Sequence, residues 1–178
     1  MVKQLTKIIS GGQTGIDQMG LMLAQLYRIE TGGCAPKDFF TETGPQPGLK
    51  NYGLREVTNE ELAESERKTG KSDRFTARTH INAKDSDGTV YFSSDRHSPG
   101  AKTTKRGCDM YNKPFIMNPN IDTLVDWIRK NDIHILNVAG NRASKLTRRD
   151  AVNFQRILEE AIKIVNEIKS IDSYGKEE

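Results

Sequence analysis

The sequence lacks the features that mark membrane, secreted and broadly nucleic-acid-binding proteins. No apolar run within its 178 residues approaches the roughly 20 residues that span a bilayer, and the first residues lack the apolar core of a signal peptide. Its two cysteines are too few for a disulfide framework. Its formal net charge is only +3, which argues against nucleic acid as a ligand. We therefore expect a cytoplasmic protein with no membrane partner.

The sequence also offers little to hold a metal ion. Its three histidines show no metal-ligand spacing with the cysteines. Asp85 and Asp87, on either side of Ser86, could hold a hydrated Mg²⁺ together with a ligand phosphate. The alternative is an Asp-Gly turn that leads into a strand, with the carboxylates bonded to nearby backbone. We favour the turn for at least one of the two, and nothing else in the sequence supports Mg²⁺.

A glycine-rich turn between a strand and a helix is the most informative feature that is present. A short β-branched run ends at Ser10, and an amphipathic helix begins near Asp17. The glycines between them let backbone N–H groups approach a ligand closely, and the helix dipole favours negative charge there. The spacing differs from the Walker and dinucleotide-binding motifs, so a plain tight turn is the alternative. The predicted oxyanion-binding residues of this turn are Ser10, Gly11, Gly12, Gln13, Thr14, Gly15 and Asp17.

The periodicity of apolar residues predicts alternating strands and helices. Strands are expected at 5–10, 32–35, 88–92, 114–117 and 133–138. Helices are expected at 17–29, from Thr58 onwards behind a Thr58–Glu61 capping box, and at 101–111, 121–130 and 148–169. This alternation predicts an α/β fold in which a Rossmann-like parallel sheet lies between helices. We expect one domain over residues 1–170, followed by a polar tail over 171–178.

Polar loops follow the predicted strands, and ligands bind at the carboxyl ends of the strands in such sheets. After the second strand the candidate binding residues are Pro36 and Lys37. Around the third strand they are Arg78, Thr79, Asp87, Gly100, Lys102, Thr103 and Thr104. At the end of the last strand they are Asn137, Gly140, Asn141 and Arg142. The stretch 36–57, which contains several prolines and glycines, is expected to be an ordered functional loop or lid.

Several of these residues have an ordinary structural alternative. Lys102 could bind phosphate beside a helix N-terminus or belong to a solvated basic helix face. Arg78 could clamp phosphate or pair with Asp85. The group at the end of the last strand could hydrogen-bond a ring edge or a phosphate, or could simply form a turn into the next helix.

Three segments together resemble the family named putative molybdenum carrier, a Rossmann-like branch of the SLOG superfamily that also contains the LOG nucleotide hydrolases. They are Ile-Ser-Gly-Gly-Gln-Thr-Gly-Ile-Asp at 9–17, Arg-Thr-x-x-Asn-x-x-Asp-Ser-Asp-Gly-Thr at 78–89 and Leu-Asn-Val-Ala-Gly-Asn-Arg-Ala-Ser at 136–144. The resemblance extends from Ile8 to about Ala161. It implies a phosphate-containing small-molecule ligand, either molybdenum cofactor or a nucleotide, and a homo-oligomer.

Two departures from the patterns of these relatives bear on function. Family members usually carry Gly-Gly-Trp-Cys-Pro-Lys-Gly-Arg after the second strand, whereas here Cys34 lies one place earlier and Phe39 replaces the last basic residue. This weakens the case for a thiol–metal role. The LOG hydrolases resemble Pro-Gly-Gly-x-Gly-Thr-x-x-Glu near the third strand, and the position that matches their catalytic glutamate is Thr104. A hydroxyl cannot replace a carboxylate as a general acid or base at neutral pH.

These observations lead us to expect a non-catalytic binding protein of the carrier or sequestering type. Its ligand would be a phosphate-bearing nucleotide, a nucleotide-derived signal or a molybdenum-cofactor-like molecule. The alternative is a hydrolase of nucleotide N-glycosidic or phosphate bonds, related to LOG-type phosphoribohydrolases, that uses Asp17, Asp85 or Asp87 in place of the absent glutamate.

Overall fold

Strands and helices alternate along the chain, as the periodicity predicts. The computed structural model describes residues 4–168. The strands are β1 (Lys7–Ile9), β2 (Glu30–Ala35), β3 (Phe40–Thr41), β4 (Gly44–Pro45), β5 (Leu54–Glu56), β6 (Gly88–Phe92), β7 (Phe115–Met117) and β8 (Ile135–Gly140). The helices are α1 (Ile16–Leu26), α2 (Asn59–Thr69), α3 (Arg74–Asp85), α4 (Pro99–Met110), α5 (Ile121–Lys130) and α6 (Arg148–Val165).

Six parallel strands form the main sheet in the order β5-β2-β1-β8-β6-β7, and β3 pairs with β4 in a separate antiparallel hairpin. Right-handed crossovers between parallel strands place α1, α5 and α6 on one face of the sheet and α2, α3 and α4 on the other. The predicted Rossmann-like α/β fold in a single domain is therefore confirmed. No helix within residues 4–168 is long and apolar enough to cross a membrane.

The two faces of the sheet are packed differently. Beneath α1, α5 and α6, large side chains such as Leu136 and Leu158 form the main core, where the rings of Phe92 and Phe154 lie 5.0 Å apart. The other face carries two small clusters made mostly of short side chains. Their buried members are Cys34, Val57 and Ala77 in one, and Tyr91, Ala101 and Ala139 in the other. These short side chains leave the space between α3 and α4 that the candidate site occupies.

The observed elements differ from the predicted ones mainly in α3 and β5, which were not predicted. Helix α3 buries small and polar residues, including Thr76, His80 and Asn82, so its apolar periodicity is weak. Strand β5 is a three-residue edge strand in which Leu54 is the buried residue. The stretch 36–57 therefore contains a hairpin and a strand of the main sheet. The Thr58–Glu61 capping box is confirmed, and residue 169 and the predicted tail over 171–178 lie outside the described residues.

Gly33 allows β1 and β2 to approach closely. Its φ is +127°, and a Cβ atom there would lie 2.1 Å from the carbonyl oxygen of Ser10. We expect Gly33→Ala to lower the free energy of unfolding by about 2 kcal/mol or more, because neither the backbone angle nor the contact can relax in place. Gly48 has no atom within 4 Å of a built Cβ, so Gly48→Ala is the matched control. Urea unfolding of both variants checks this, and equal midpoints would contradict it.

Candidate ligand-binding cleft

The carboxyl ends of β1, β8 and β6 open into a cleft between α3 and α4. The chain reverses its direction across the sheet at this place, which is where α/β sheets bind ligands. The inner part of the cleft, the deep cavity, has a volume of about 180 Å³ and includes Asp17, Arg78 and Asn137 in its wall. The outer part, the vestibule, has a volume of about 700 Å³ and includes Arg142 and Lys145. The two parts are adjacent, and five residues line both of them: Phe75, Arg78, Tyr91, Gly100 and Gly140.

Sequence-predicted residues supply much of the wall of this cleft. In the deep cavity they are Gly11, Asp17, Arg78, Thr79, Gly100, Thr103, Thr104, Asn137 and Gly140. In the vestibule they are Gln13, Arg78, Gly100, Gly140, Asn141 and Arg142. The fold therefore brings the polar loops at three strand ends, together with one face of α3, to a single place.

The remaining predicted residues do not line the cleft. Four of them form the body of the glycine-rich turn, namely Ser10, Gly12, Thr14 and Gly15. Pro36 is buried at the end of β2, while Lys37 and Lys102 point into solvent. For Lys102, the solvated helix face is therefore the arrangement that the structure shows.

Asp87 lies at the wrong edge of the sheet for a ligand contact. It precedes β6, and its Oδ2 accepts hydrogen bonds from the backbone N–H groups of His134 (3.0 Å) and Ile135 (2.7 Å). This is the amino end of the strands, opposite the cleft. Asp87 therefore does not line the cleft, and its carboxylate binds the backbone at the start of β8 rather than the nearby backbone of an Asp-Gly turn. Asp85 is exposed and lies 3.9 Å from Arg55, so it does not pair with Arg78.

The glycine-rich turn uses backbone donors for its own structure. The amides of Gly12, Gln13, Thr14 and Ile16 donate to Ser10 Oγ (3.2 Å), Asp17 Oδ2 (3.2 Å), Gln13 Oε1 (3.0 Å) and the Asn141 carbonyl (3.1 Å), respectively. These four amides therefore serve the turn itself rather than an oxyanion. The polar side chains that suggested extra ligand contacts are the groups that satisfy the buried amides.

A buried ion pair joins α1 to α3 in the wall of the deep cavity. Arg78 Nη1 lies 3.1 Å from Asp17 Oδ2, and the side chains are 14% and 2% exposed. Burial raises the pKa of the Asp17 carboxyl, and the nearby charge of Arg78 only partly offsets this effect. A Cβ at position 11 would lie 1.8 Å from Arg78 Nη1, so a side chain there would displace the guanidinium from its place against the turn. Arg78 thus pairs with Asp17, and its Nε has no partner among the described residues.

Glu42, at the tip of the β3–β4 hairpin, fastens this hairpin to the turn. Its carboxylate accepts hydrogen bonds from the Thr14 hydroxyl and from the hydroxyl and backbone N–H of Ser144, and Arg142 Nε lies 3.5 Å away. The Glu42 amide in turn donates to Gln13 Oε1 at 2.9 Å. These contacts hold the hairpin over the turn as an ordered part of the vestibule wall.

Aromatic side chains stand at the mouth of the deep cavity. Phe75 on α3, which is 37% exposed, and Tyr91 line both the cavity and the vestibule. The Arg74 guanidinium stacks over the ring of Phe40, 4.4 Å from its centroid. Sequence reasoning missed these aromatics and Lys145. The signal for Phe75 lay in the unrecognised helix α3, whereas Lys145 follows Arg142 in the last polar loop and could have been included.

Neither cysteine side chain lines the cleft. Cys34 is buried on the α3 side of β2, and burial raises the pKa of its thiol to about 12. Burial also raises the pKa of Cys108. Residues 4–168 contain no group of three or more histidine, cysteine, aspartate or glutamate side chains that could hold a metal ion.

A Rossmann-like domain with a ligand-sized cleft at its topological switch point is the class of protein that these observations define. The chain belongs to the circularly permutated YpsA SLOG family, whose model matches residues 8–162. The central position of the last strand, β8, agrees with a permuted chain order. No curated protein matches the sequence.

A solved structure extends this comparison over nearly the whole chain. It is that of a putative molybdenum carrier protein from Syntrophus aciditrophicus SB, which is 30% identical in sequence with a TM-score of 0.68. The match covers 92% of this chain and 96% of that chain. The family resemblance noted from the sequence is therefore confirmed.

Protonation of Glu42 should release the hairpin in acid. Burial raises the pKa of its carboxyl, but the hydrogen bonds from Ser144 and Thr14 outweigh this and lower the pKa below its ordinary value. Its contribution to stability is therefore complete above the ordinary glutamate pKa of about 4.3 and is lost as the pH falls through the lowered folded value. We expect Glu42→Gln to cost about 1–2 kcal/mol at neutral pH.

Chemical unfolding as a function of pH checks this. The difference between Glu42→Gln and the parent protein should shrink below pH about 4. Glu66→Gln, at an exposed position on α2, is the control. A Glu42→Gln deficit that is the same at all pH values would show that the carboxylate charge is unimportant.

Proposed function

We propose that the protein is a non-catalytic binding protein, a carrier or a sequestering protein, for a phosphate-bearing nucleotide, a nucleotide-derived signal or a molybdenum-cofactor-like molecule. The observation that carries the proposal is the two-part cleft at the switch point. A small polar cavity opens into a wider vestibule whose wall contains the cations Arg142 and Lys145. Ligands of this class likewise combine a planar heterocycle with a charged phosphate.

The dimensions of the cleft support this choice. An apolar cavity of about 150 Å³ is known to bind benzene, so the 180 Å³ of the deep cavity suffices for a planar ring of that size. The vestibule leaves room for a sugar and phosphate beyond it. Glu42 and Asp95 also line the vestibule. Glu42 is engaged by Thr14 and Ser144 and lies 3.5 Å from Arg142 Nε, which leaves Lys145 as the cation without an acidic partner among the described contacts.

The side chains of the cleft favour binding over catalysis. Thr104 stands where LOG-type relatives carry their catalytic glutamate, and its hydroxyl donates to the Gly100 carbonyl at 2.9 Å. Asp17, the carboxylate in the wall of the deep cavity, is held by Arg78 and by the amide of Gln13. A carboxylate engaged in this way is poorly placed to exchange protons with a ligand.

Molybdenum cofactor fits the cleft through its pterin rather than through its metal. The polar wall around Asn137 suits the amino-substituted edge of a pterin. The cleft wall contains neither cysteine nor histidine among the described residues, so the protein would bind the organic part and the phosphate. The name of the Syntrophus relative is consistent with such a cargo.

The proposal includes a cytoplasmic location and a homo-oligomeric assembly. The location rests on the two cysteines, which are both free and buried and suit a reducing compartment. For assembly, Met22 and Leu26 on α1 are 55% and 66% exposed, and they lie one helical turn apart, on one side of the helix.

Lys145 supplies the test of ligand binding. We expect at least one of AMP, GMP and neopterin phosphate to bind in isothermal titration calorimetry, and Lys145→Ala to weaken that binding about threefold at low salt. The loss should become smaller at high salt, because exposed charges are screened. Lys102→Ala, an exposed lysine outside the cleft, should leave affinity unchanged. Failure of all three probes to bind, or equal effects of the two variants, would contradict the proposal.

A second candidate function is nucleotide hydrolysis with Asp17 as the acid. The raised pKa of this buried carboxyl is a property that general acids share. Our proposal predicts that AMP remains intact when it is incubated with a stoichiometric amount of protein and analysed by chromatography. Release of adenine or phosphate that disappears in Asp17→Asn would favour the hydrolase instead.

A further inference from the structure

We infer that the deep cavity binds the amino-bearing edge of a nitrogen heterocycle and that the ligand's phosphate stays in the vestibule. This inference rests on the proposed function, and it assigns an orientation and a recognition chemistry to the ligand. It is the reverse of the arrangement that glycines and threonines near a helix N-terminus first suggest, in which the phosphate would lie innermost.

The threonine hydroxyls of the deep cavity have no protons to offer an anion. Four threonines line this cavity, and each donates its hydroxyl proton to another protein group. The acceptors are Asp73 Oδ2 for Thr76 (2.6 Å), the Phe75 carbonyl for Thr79 (2.8 Å), the Pro99 carbonyl for Thr103 (3.2 Å) and the Gly100 carbonyl for Thr104 (2.9 Å). What these hydroxyls can present to a ligand is acceptor lone pairs.

Asn137 adds a further acceptor. It is 2% exposed, and its Nδ2 donates to Thr89 Oγ1 at 3.0 Å. This hydrogen bond leaves the amide oxygen of Asn137 on the side away from Thr89. This Oδ1 atom has no partner among the described residues, although its residue lines the cavity.

The charge balance of the deep cavity also disfavours a phosphate. Asp17 and Arg78 are the charged residues of its described wall, and they neutralise each other at 3.1 Å. A buried phosphate dianion would lack a counter-charge and would face the Asp17 carboxylate, which is costly in a low-dielectric site. A neutral ring avoids this cost. Its N–H groups can donate to Asn137 Oδ1, and one of its acceptor atoms can accept a hydrogen bond from Arg78 Nε, which has no partner among the described residues.

The vestibule suits the other end of the ligand. Arg142 and Lys145 are exposed there, where a phosphate keeps much of its hydration. Phe75 stands between the two compartments and offers a face against which a planar ring can stack. In this orientation the ring of a nucleotide or pterin phosphate lies beside Asn137, and its phosphate lies on the vestibule side, where Lys145 is exposed.

A series of probes tests the inference on the unmodified protein. Calorimetric affinities are compared for AMP and for the ribonucleotide of unsubstituted purine, which lacks the amino group, and likewise for GMP and IMP. Ribose phosphate and inorganic phosphate complete the series. We expect removal of the amino group from the better-binding nucleotide to weaken binding about tenfold or more, since it leaves a buried acceptor unpaired. Ribose phosphate should bind more weakly still.

Asn137→Leu tests whether Asn137 is the residue that binds the amino group of the ligand. This variant keeps the approximate shape but removes the acceptor, so the preference for the amino-bearing nucleotide should fall to about twofold or less. A purely structural role for Asn137 would weaken both nucleotides equally and leave the preference intact. Asn153→Leu, the same change at an exposed position of α6, should retain it. If Asn137→Leu fails to fold, the comparison of nucleotides with and without the amino group on the unmodified protein still tests the orientation. Thr104→Val then serves as a second variant, since it removes another acceptor of the deep cavity.

The outcomes separate this inference from the proposed function. If ribose phosphate or inorganic phosphate binds as tightly as the nucleotides, the cleft is a phosphate site, so the proposed function stands and the orientation is wrong. The same conclusion follows if the amino-free nucleotide binds as tightly as its parent, which would mean that water alone fills the contacts of Asn137. If no nucleotide, neopterin phosphate or phosphate binds, the proposed function itself fails.

Discussion

The ion pair between Asp17 and Arg78 is the contact on which the cleft depends. It joins the first helix of the chain to α3, a helix of mainly polar and small residues that lacks a continuous apolar face. Removing one partner from such a pair costs roughly 3–5 kcal/mol, because the other charge stays buried and unpaired. The pair therefore fixes α3 above the sheet, and with it the position of Phe75 at the mouth of the deep cavity. Gly11 completes the arrangement by leaving room for the guanidinium.

The two faces of the sheet have different roles: one carries the core that stabilises the fold, and the other carries the candidate ligand-binding cleft. The face beneath α1, α5 and α6 carries the large aliphatic and aromatic core, which provides most of the buried apolar surface. The opposite face uses short side chains, buried asparagines and threonines, and its gap is the candidate ligand-binding cleft. In the orientation that we infer, the acceptors of this gap face amino and ring N–H groups of the ligand rather than an oxyanion. The hairpin that Glu42 fastens to the turn completes the outer wall.

The fold and many residues of the candidate cleft could be predicted from the sequence, but the contacts among those residues could not. Alternating periodicity identified β1, β6, β8 and the apolar helices, and the rule for strand ends identified Asn137 and Arg142. Helix α3 was not predicted because its buried positions include the polar residues Thr76, His80 and Asn82, which give no apolar periodicity. Asp87 was misplaced because a loop residue before a strand lies at the opposite edge from one after it. Spacing alone also does not show that amides of the glycine-rich turn already have partners, as those of Gly12 and Thr14 do.

Nuclear magnetic resonance of nitrogen-labelled protein tests the central claim most directly, because it reports where a ligand binds as well as whether it binds. Titration with AMP, GMP or neopterin phosphate should shift the side-chain amide of Asn137 and the backbone amides of Gly100 and Gly140. The amides of Gly12 and Thr14, which are engaged within the turn, should move much less. Shifts confined to the opposite edge of the sheet near Asp87 and His134, or no shifts at millimolar ligand, would contradict the account.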